Sequence, residues 1–200
     1  MVNALIFAGG VGARMKSKEI PKQFLKVEGK PIIIRTLEHF SSHDMVDTIV
    51  VVCIESWIEE LKVQIEKYGI KKIVSIIPGG ETGFQSIHNG LEKIAETAKD
   101  DDIVLICDGV RPILSEKLIT TCIEDARVYK TAVPVTPSID SVLYSVDGSS
   151  CSKNFERKNI YITQAPQGYE MKTIMDAHAE AMSKGVESVS SGDLMIELGH

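Results

Sequence analysis

The sequence predicts an α/β fold: one domain, a mostly parallel sheet with helices on both faces, and a protruding β-arm. Three observations predict it. Apolar runs of strand length alternate with segments of helical period along the whole chain. The runs are apolar without interruption, as strands covered on both faces are. The length of 200 residues suits one domain with a sizeable core, and no repeat or low-complexity linker divides it.

The first run, Ala4–Phe7, reads as a buried strand, and Gly9, Gly10 and Gly12 follow it at once. Glycines let a backbone pass close to a ligand and turn its amides toward it. Arg14, Lys16, Lys18 and Lys22 come next, placed to neutralise a polyphosphate there. The P-loop is absent, because no Gly-Lys-Ser/Thr closes the turn. The dinucleotide fingerprint also fails, because Arg14 and Met15 stand where its third glycine is needed. The layout is thus Rossmann-like without a dinucleotide loop.

Pro31 begins a helix over Ile32–Ser41, and a strand follows at Thr48–Cys53. In the next helix, Ser56–Tyr68, Trp57 shares helical spacing with Ile58, Leu61 and Ile65 and reads as core or a packing edge. His39 and His43, at a helix end, read as surface residues. A strand at Lys72–Ile77 ends at Pro78 and leads through Gly79 and Gly80 into a helix, Gly83–Lys99. Amides of that turn, with the Ser86 hydroxyl, can hydrogen-bond a nucleobase. The strand Ile103–Asp108 carries Asp108 to its carboxyl end, where ligands of such sheets bind. A carboxylate beside a triphosphate is costly unless a divalent cation lies between them, so Asp108 is the candidate for organising Mg²⁺. Arg111, three residues on, could equally be a structural partner of Asp108.

A helix over Ser115–Tyr129 precedes a strand at Thr131–Val135. Residues 140–167 read as the arm: Val142–Val146 alternates, Asp147-Gly148 is a hairpin turn signal, and Ile160–Thr163 returns as the second strand. Helices at Met171–Ser183 and from Ser190 to His200 complete the chain.

Twenty-two Lys and Arg against 28 Asp and Glu give a net charge of -6, which argues against nucleic acid as a partner. Cys53, Cys107, Cys122 and Cys151 form no C-x-x-C pair and read as thiols in a reducing cytoplasm. No signal peptide and no membrane-spanning stretch is expected.

The pattern A-G-G-x-G-x-R-M, then P-K-Q, resembles the signature of nucleotidyltransferases that make nucleoside-diphosphate sugars. Pro21-Lys22-Gln23-Phe24 resembles one branch, the cytidylyltransferases acting on 2-C-methyl-D-erythritol 4-phosphate or ribitol 5-phosphate. Gly79, Gly80, Ser86, Asn89, Gly90 and Leu91 match a second stretch of that family, with Gly83 where it usually has arginine. Asp108-Gly109-Val110-Arg111-Pro112 resembles its D-A-x-R-P, with Gly109 for the alanine, and Ala165-Pro166-Gln167 its T-P-Q, with Ala165 for the threonine.

The resemblance implies a nucleotide-diphospho-sugar transferase fold and transfer of CMP from CTP to a sugar-alcohol phosphate, with release of pyrophosphate. It implies that Arg14 and Lys22 are catalytic and that Ala8, Gly9, Gly10, Gly12, Gly79, Gly80, Ser86, Asp108 and Gly109 bind the nucleotide. Arg111, Asp140, Ser141 and Arg157 would bind the acceptor, Asp108 would hold Mg²⁺, and the arm would be exchanged in a homodimer. The family's last strand, lysine-bearing loop and helix do not follow residue 200. That implies either a piece of a longer protein or the lack of one phosphate-binding lysine. Three other readings stay open: a guanylyltransferase of cofactor maturation, a non-catalytic nucleotide-binding or dimerisation protein, and a dinucleotide-binding oxidoreductase.

Overall fold

The computed structural model describes residues 1–10, 20–186, 188 and 190–199. Its main sheet holds β1 (Val2–Ala8), β4 (Thr48–Cys53), β5 (Ile73–Pro78), β6 (Ile103–Asp108), β7 (Thr131–Ala132) and β12 (Gln167–Glu170). A small ribbon, β2 (Lys26–Val27) and β3 (Lys30–Pro31), precedes β4. The spatial order is β5-β4-β1-β6-β12-β7. The first four strands are mutually parallel, and β12 runs antiparallel to both its neighbours. This is the mostly parallel sheet that the sequence predicts.

The uninterrupted apolar runs are explained by two cores. Ala4, Ile6, Ile49, Val51, Leu105 and Cys107 pack under α1 (Ile32–Ser42), α2 (Ile58–Tyr68) and α4 (Glu116–Tyr129). Their neighbours in sequence, Leu5, Val50, Val52, Val104 and Ile106, pack under α3 (Gly83–Ala95), α5 (Met171–Lys184) and α6 (Ser191–Glu197). Successive side chains point to opposite faces, so a strand covered on both must be apolar at every position. The helices begin where the sequence supplies caps. Thr82, Ser115 and Ser190 accept hydrogen bonds from the backbone N–H three residues on, at the starts of α3, α4 and α6.

Four expectations need correction. Thr131–Val135 is not one strand: Thr131–Ala132 pairs with β12, whereas β8 (Val135–Pro137) leaves the sheet and pairs with β11 (Tyr161–Thr163). Pro134 stands between them and has no N–H to continue a ladder. The arm is not a hairpin of 142–146 with 160–163. β9 (Leu143–Tyr144) pairs with β10 (Lys153–Asn154), and the β8–β11 ribbon lies at the arm's base. The nearer pairing closes the shorter loop, and Asp147 stabilises that loop by accepting from the Ser149 and Ser150 amides at 2.9 Å. β12 itself was not predicted. Neither histidine is a simple surface group. His43 is buried, with its Nε2 3.0 Å from Thr120 Oγ1, and half-buried His39 places Nε2 2.9 Å from the Pro112 carbonyl oxygen.

Trp57 is a packing edge, its ring 4.5 Å from that of Phe24. Cys53, Cys107 and Cys122 are buried free thiols, as expected, and Cys151 is exposed. Burial pushes Cys53 and Cys122 up to about 11 and Cys107 higher still. No described helix is long and apolar enough to cross a membrane.

Candidate active site

Parallel strands bring their carboxyl ends to one edge, and four expected stretches meet there. β1 ends at Ala8, and Gly9 and Gly10 follow. β5 delivers Gly79 and Gly80 beside them. A Cβ on Gly9 would lie 3.2 Å from Ser86 Oγ and 3.5 Å from Gly79 Cα, so the two glycine turns pass at van der Waals range. Ser86, in the first turns of α3, accepts a hydrogen bond from the Gly80 N–H at 3.0 Å. The Ser86 hydroxyl thus positions this turn through its backbone.

β6 delivers Asp108 to the same edge. Gly109 donates its N–H to the Phe7 carbonyl at 2.9 Å, and a Cβ there would stand 2.9 Å from Ala8 Cβ. Glycine therefore lets the two strand ends close up. Asp108 Oδ2 accepts from Arg111 Nε at 3.0 Å and pairs with Arg111 Nη2 at 2.9 Å. Arg111 is accordingly a partner of Asp108, the second role its spacing allowed. Its turn is held from α1: Thr36 Oγ1 accepts the Arg111 N–H at 3.1 Å, and His39 reaches the Pro112 carbonyl.

Both Arg111 contacts fall on Oδ2, and Oδ1 accepts no hydrogen bond from a described residue. No cluster of three or more His, Cys, Asp or Glu side chains among the described residues could hold a metal by itself. One open carboxylate oxygen fits Mg²⁺ of the kind that takes its remaining ligands from phosphates and water.

Beside Asp108 opens a cleft of about 200 Å³. Asp108 and Arg111 line it together with Gln164, Gln167, Ser190 and Ser191, and Phe7, Ile87 and Ile106 supply its apolar lining. Gln167 is fixed there, because its Oε1 accepts from Tyr169 Oη at 2.7 Å and from the Gly192 N–H at 3.1 Å. Burial holds the Tyr169 phenol well above its ordinary range, which keeps that donor protonated. Sequence reasoning assigned no role to Ser190, Ser191 or Thr36, because they join the site only through chain crossings. Gln167 was visible within the T-P-Q resemblance.

The remaining expected residues divide. Lys22 is half-buried in a 3-10 turn, Lys22–Phe24, and makes no ion pair with a described residue. Arg14 and Gly12, with Lys16 and Lys18, lie outside the described residues. Asp140, Ser141 and Arg157 are exposed on the arm and do not line the cleft of their own chain. Arg157 Nη1 instead donates to the Ile139 carbonyl at 3.4 Å.

Comparison with known proteins finds relatives both in sequence and in fold. The sequence profile of the 2-C-methyl-D-erythritol 4-phosphate cytidylyltransferase (IspD) family covers residues 2–200. A ribitol-5-phosphate cytidylyltransferase of Vibrio parahaemolyticus is 40% identical over 199 residues, 98% of this chain and 83% of that protein. A 2-C-methyl-D-erythritol 4-phosphate cytidylyltransferase of Clostridium botulinum is 34% identical over 195 residues, covering 98% and 83%. Among solved structures, the 4-diphosphocytidyl-2C-methyl-D-erythritol synthase of Anaerococcus prevotii superposes with a TM-score of 0.82 at 26% identity, covering 98% of this chain and 82% of that one.

Proposed function

The chain belongs to the 2-C-methyl-D-erythritol 4-phosphate cytidylyltransferase (IspD) family, and from that premise we propose how its strand-end site carries out the transfer, and to which acceptor. The enzyme is a cytidylyltransferase that moves CMP from CTP to a sugar-alcohol phosphate and releases pyrophosphate. A phosphate oxygen of the acceptor attacks the α-phosphorus of CTP. A new P–O bond forms there, the bond to the bridging oxygen breaks, and pyrophosphate leaves with that electron pair. The nucleophile is already an oxyanion, so no general base is needed. Catalysis reduces to positioning and charge stabilisation.

One observation carries the assignment of parts: the Gly9–Gly10 and Gly79–Gly80 turns meet over Ser86 beside Asp108. The Gly9–Gly10 turn brings backbone to close approach, which suits a triphosphate. The Gly79 and Gly80 N–H groups, in contrast, are committed to the Cys53 carbonyl and to Ser86 Oγ, so the expected amide contacts to the base give way to contacts through that turn's carbonyls and bare Cα atoms. Lys22 and Arg14 stabilise negative charge on the α-phosphate and the leaving group. Asp108 would hold Mg²⁺, and the ion would offset the repulsion between carboxylate and triphosphate. The cleft lined by Arg111, Gln164, Gln167 and Ser191 receives the acceptor. Asp140, Ser141 and Arg157 meet an acceptor only across a two-fold axis, from the arm of one protomer to the cleft of the other. The buried free thiols suit a reducing cytoplasm.

Ribitol 5-phosphate is the acceptor we favour, because the relative named for it is nearer in sequence than the one named for methylerythritol phosphate. A coupled pyrophosphate assay crossing both acceptors with all four nucleoside triphosphates tests this. CTP with ribitol 5-phosphate should give the highest kcat/KM. Preference for methylerythritol phosphate would reverse the acceptor, and preference for another nucleotide would reverse the base.

A further inference from the structure

Gln23 is an uncharged polar side chain in a place that packing alone would give to an apolar one. It lies in the 3-10 turn beside buried Phe24 and is itself 1% exposed. Its Nε2 donates to the Ala8 carbonyl at 2.6 Å and to the Gly10 carbonyl at 3.3 Å. Both partners can only accept, so chemistry fixes which end of the amide faces them. The opposite end, Oε1, is buried and accepts from no described residue. A buried amide is thus spent on two carbonyls of one short loop, those on either side of Gly9.

The geometry points to Gln23 as a positioning residue for CTP: its carboxamide fixes the backbone on which the triphosphate rests. The stereochemistry is direct. In a trans peptide the C=O and the following N–H point in opposite directions. Gripping the Ala8 carbonyl therefore aims the Gly9 N–H away from Gln23. Gripping the Gly10 carbonyl as well denies the glycine pair the freedom it would otherwise have. Without that double grip, the loop would have to be ordered by the nucleotide itself, at a cost in affinity. The inference rests on reading this site as the CTP site, and it assigns Gln23 to the phosphates and not to the base.

The test compares wild type, Gln23→Leu and Gln23→Glu in calorimetry with three probes: CTP, CMP and inorganic triphosphate. At pH 7.5 both variants should bind CTP and inorganic triphosphate at least about tenfold more weakly, as preorganisation lost from a loop would require. CMP affinity should move by less than about threefold. Gln23→Glu adds a readout that general destabilisation would not produce. Its carboxylate cannot donate to either carbonyl, whereas the protonated acid can donate its single O–H to one of them. Its CTP affinity relative to wild type should therefore recover in part as pH falls toward 5. If Gln23→Glu does not fold at pH 7.5, Gln23→Met, of similar length and uncharged, replaces it for the affinity comparison. Wild-type CTP affinity in Gln23→Leu, or equal weakening for CMP and CTP, would overturn the role. If wild type failed to bind CTP, the reading of the site would fall. The inorganic triphosphate series would still decide whether Gln23 orders a phosphate loop.

Discussion

At the scale of single residues, the site depends on side chains that act through the backbone. Ser86 is the clearest case. It is buried, and its hydroxyl is the acceptor that the Gly80 N–H has at 3.0 Å. Ser86→Ala removes that acceptor and changes little else in volume, and losing one such bond costs about 1 kcal/mol. If the Gly79–Gly80 turn holds the nucleotide, CTP affinity should fall roughly fivefold, beside a drop in melting temperature of about 2–4 °C for the lost bond. Titration calorimetry beside a melting curve checks it; unchanged affinity would remove this turn from the nucleotide site. Asp108 and Arg111 show a related economy. One oxygen of the carboxylate is committed to the guanidinium, and the other accepts no hydrogen bond from a described residue, so one side chain holds the turn and keeps an oxygen available.

At the scale of elements, the contact between α3 and α5 joins two of the helices that cover one face of the sheet. His178 of α5 is buried between Phe84 and His88 of α3, its ring stacked 4.6 Å and 5.8 Å from theirs. Neither of its nitrogens has a hydrogen-bond partner among the described residues. Burial, and secondarily the neighbouring His88, depress it from 6.5 to about 4. His88 itself faces Glu92 at 3.6 Å. In the unfolded chain, His178 takes up its proton near pH 6.5; in the folded protein, only near 4. The unfolded state therefore binds more protons between these values, and stability is lost as pH falls through that window. His178 should account for a loss of about 2 kcal/mol between pH 7 and pH 5. Urea unfolding of wild type and His178→Phe at both pH values measures it. An equal loss in both proteins would show that the stack does not titrate as described.

At the scale of the whole molecule, the arm is the part least explained by its own chain. Ile139 is 86% exposed and Val146 82%, and Leu143, Tyr144, Tyr161 and Ile162 are exposed beside them. A run of exposed apolar side chains on a projecting ribbon marks an interaction surface. We predict a two-fold dimer in which each arm packs on the partner. Light scattering at micromolar concentration should give twice the mass of one chain, and Leu143→Asp with Val146→Asp should shift it toward the monomer. A monomeric wild type with an intact arm would count against both the dimer and the delivery of Arg157 across it.

The sequence by itself determined the α/β class, the four parallel strands, the main helices and the strand-end residues Gly9, Gly79 and Asp108, with Ser86 in the helix after Gly80. These are legible because two-sided burial forces uninterrupted apolar runs and because glycine turns announce themselves by composition. Tertiary structure decided the rest. β12 is four residues, Gln-Gly-Tyr-Glu, with no periodicity to recognise. It is a strand because β6 offers a ladder and because Gly168 lets it pass α4, where a Cβ would stand 2.6 Å from the Cys122 carbonyl oxygen. The arm's pairing was misread because alternation identifies a strand but not its partner. Gln23, Thr36 and Gln167 became interpretable only when distant segments met. A buried polar side chain is explained by what it hydrogen-bonds, and here Ala8, Arg111 and Gly192 belong to other elements of the fold.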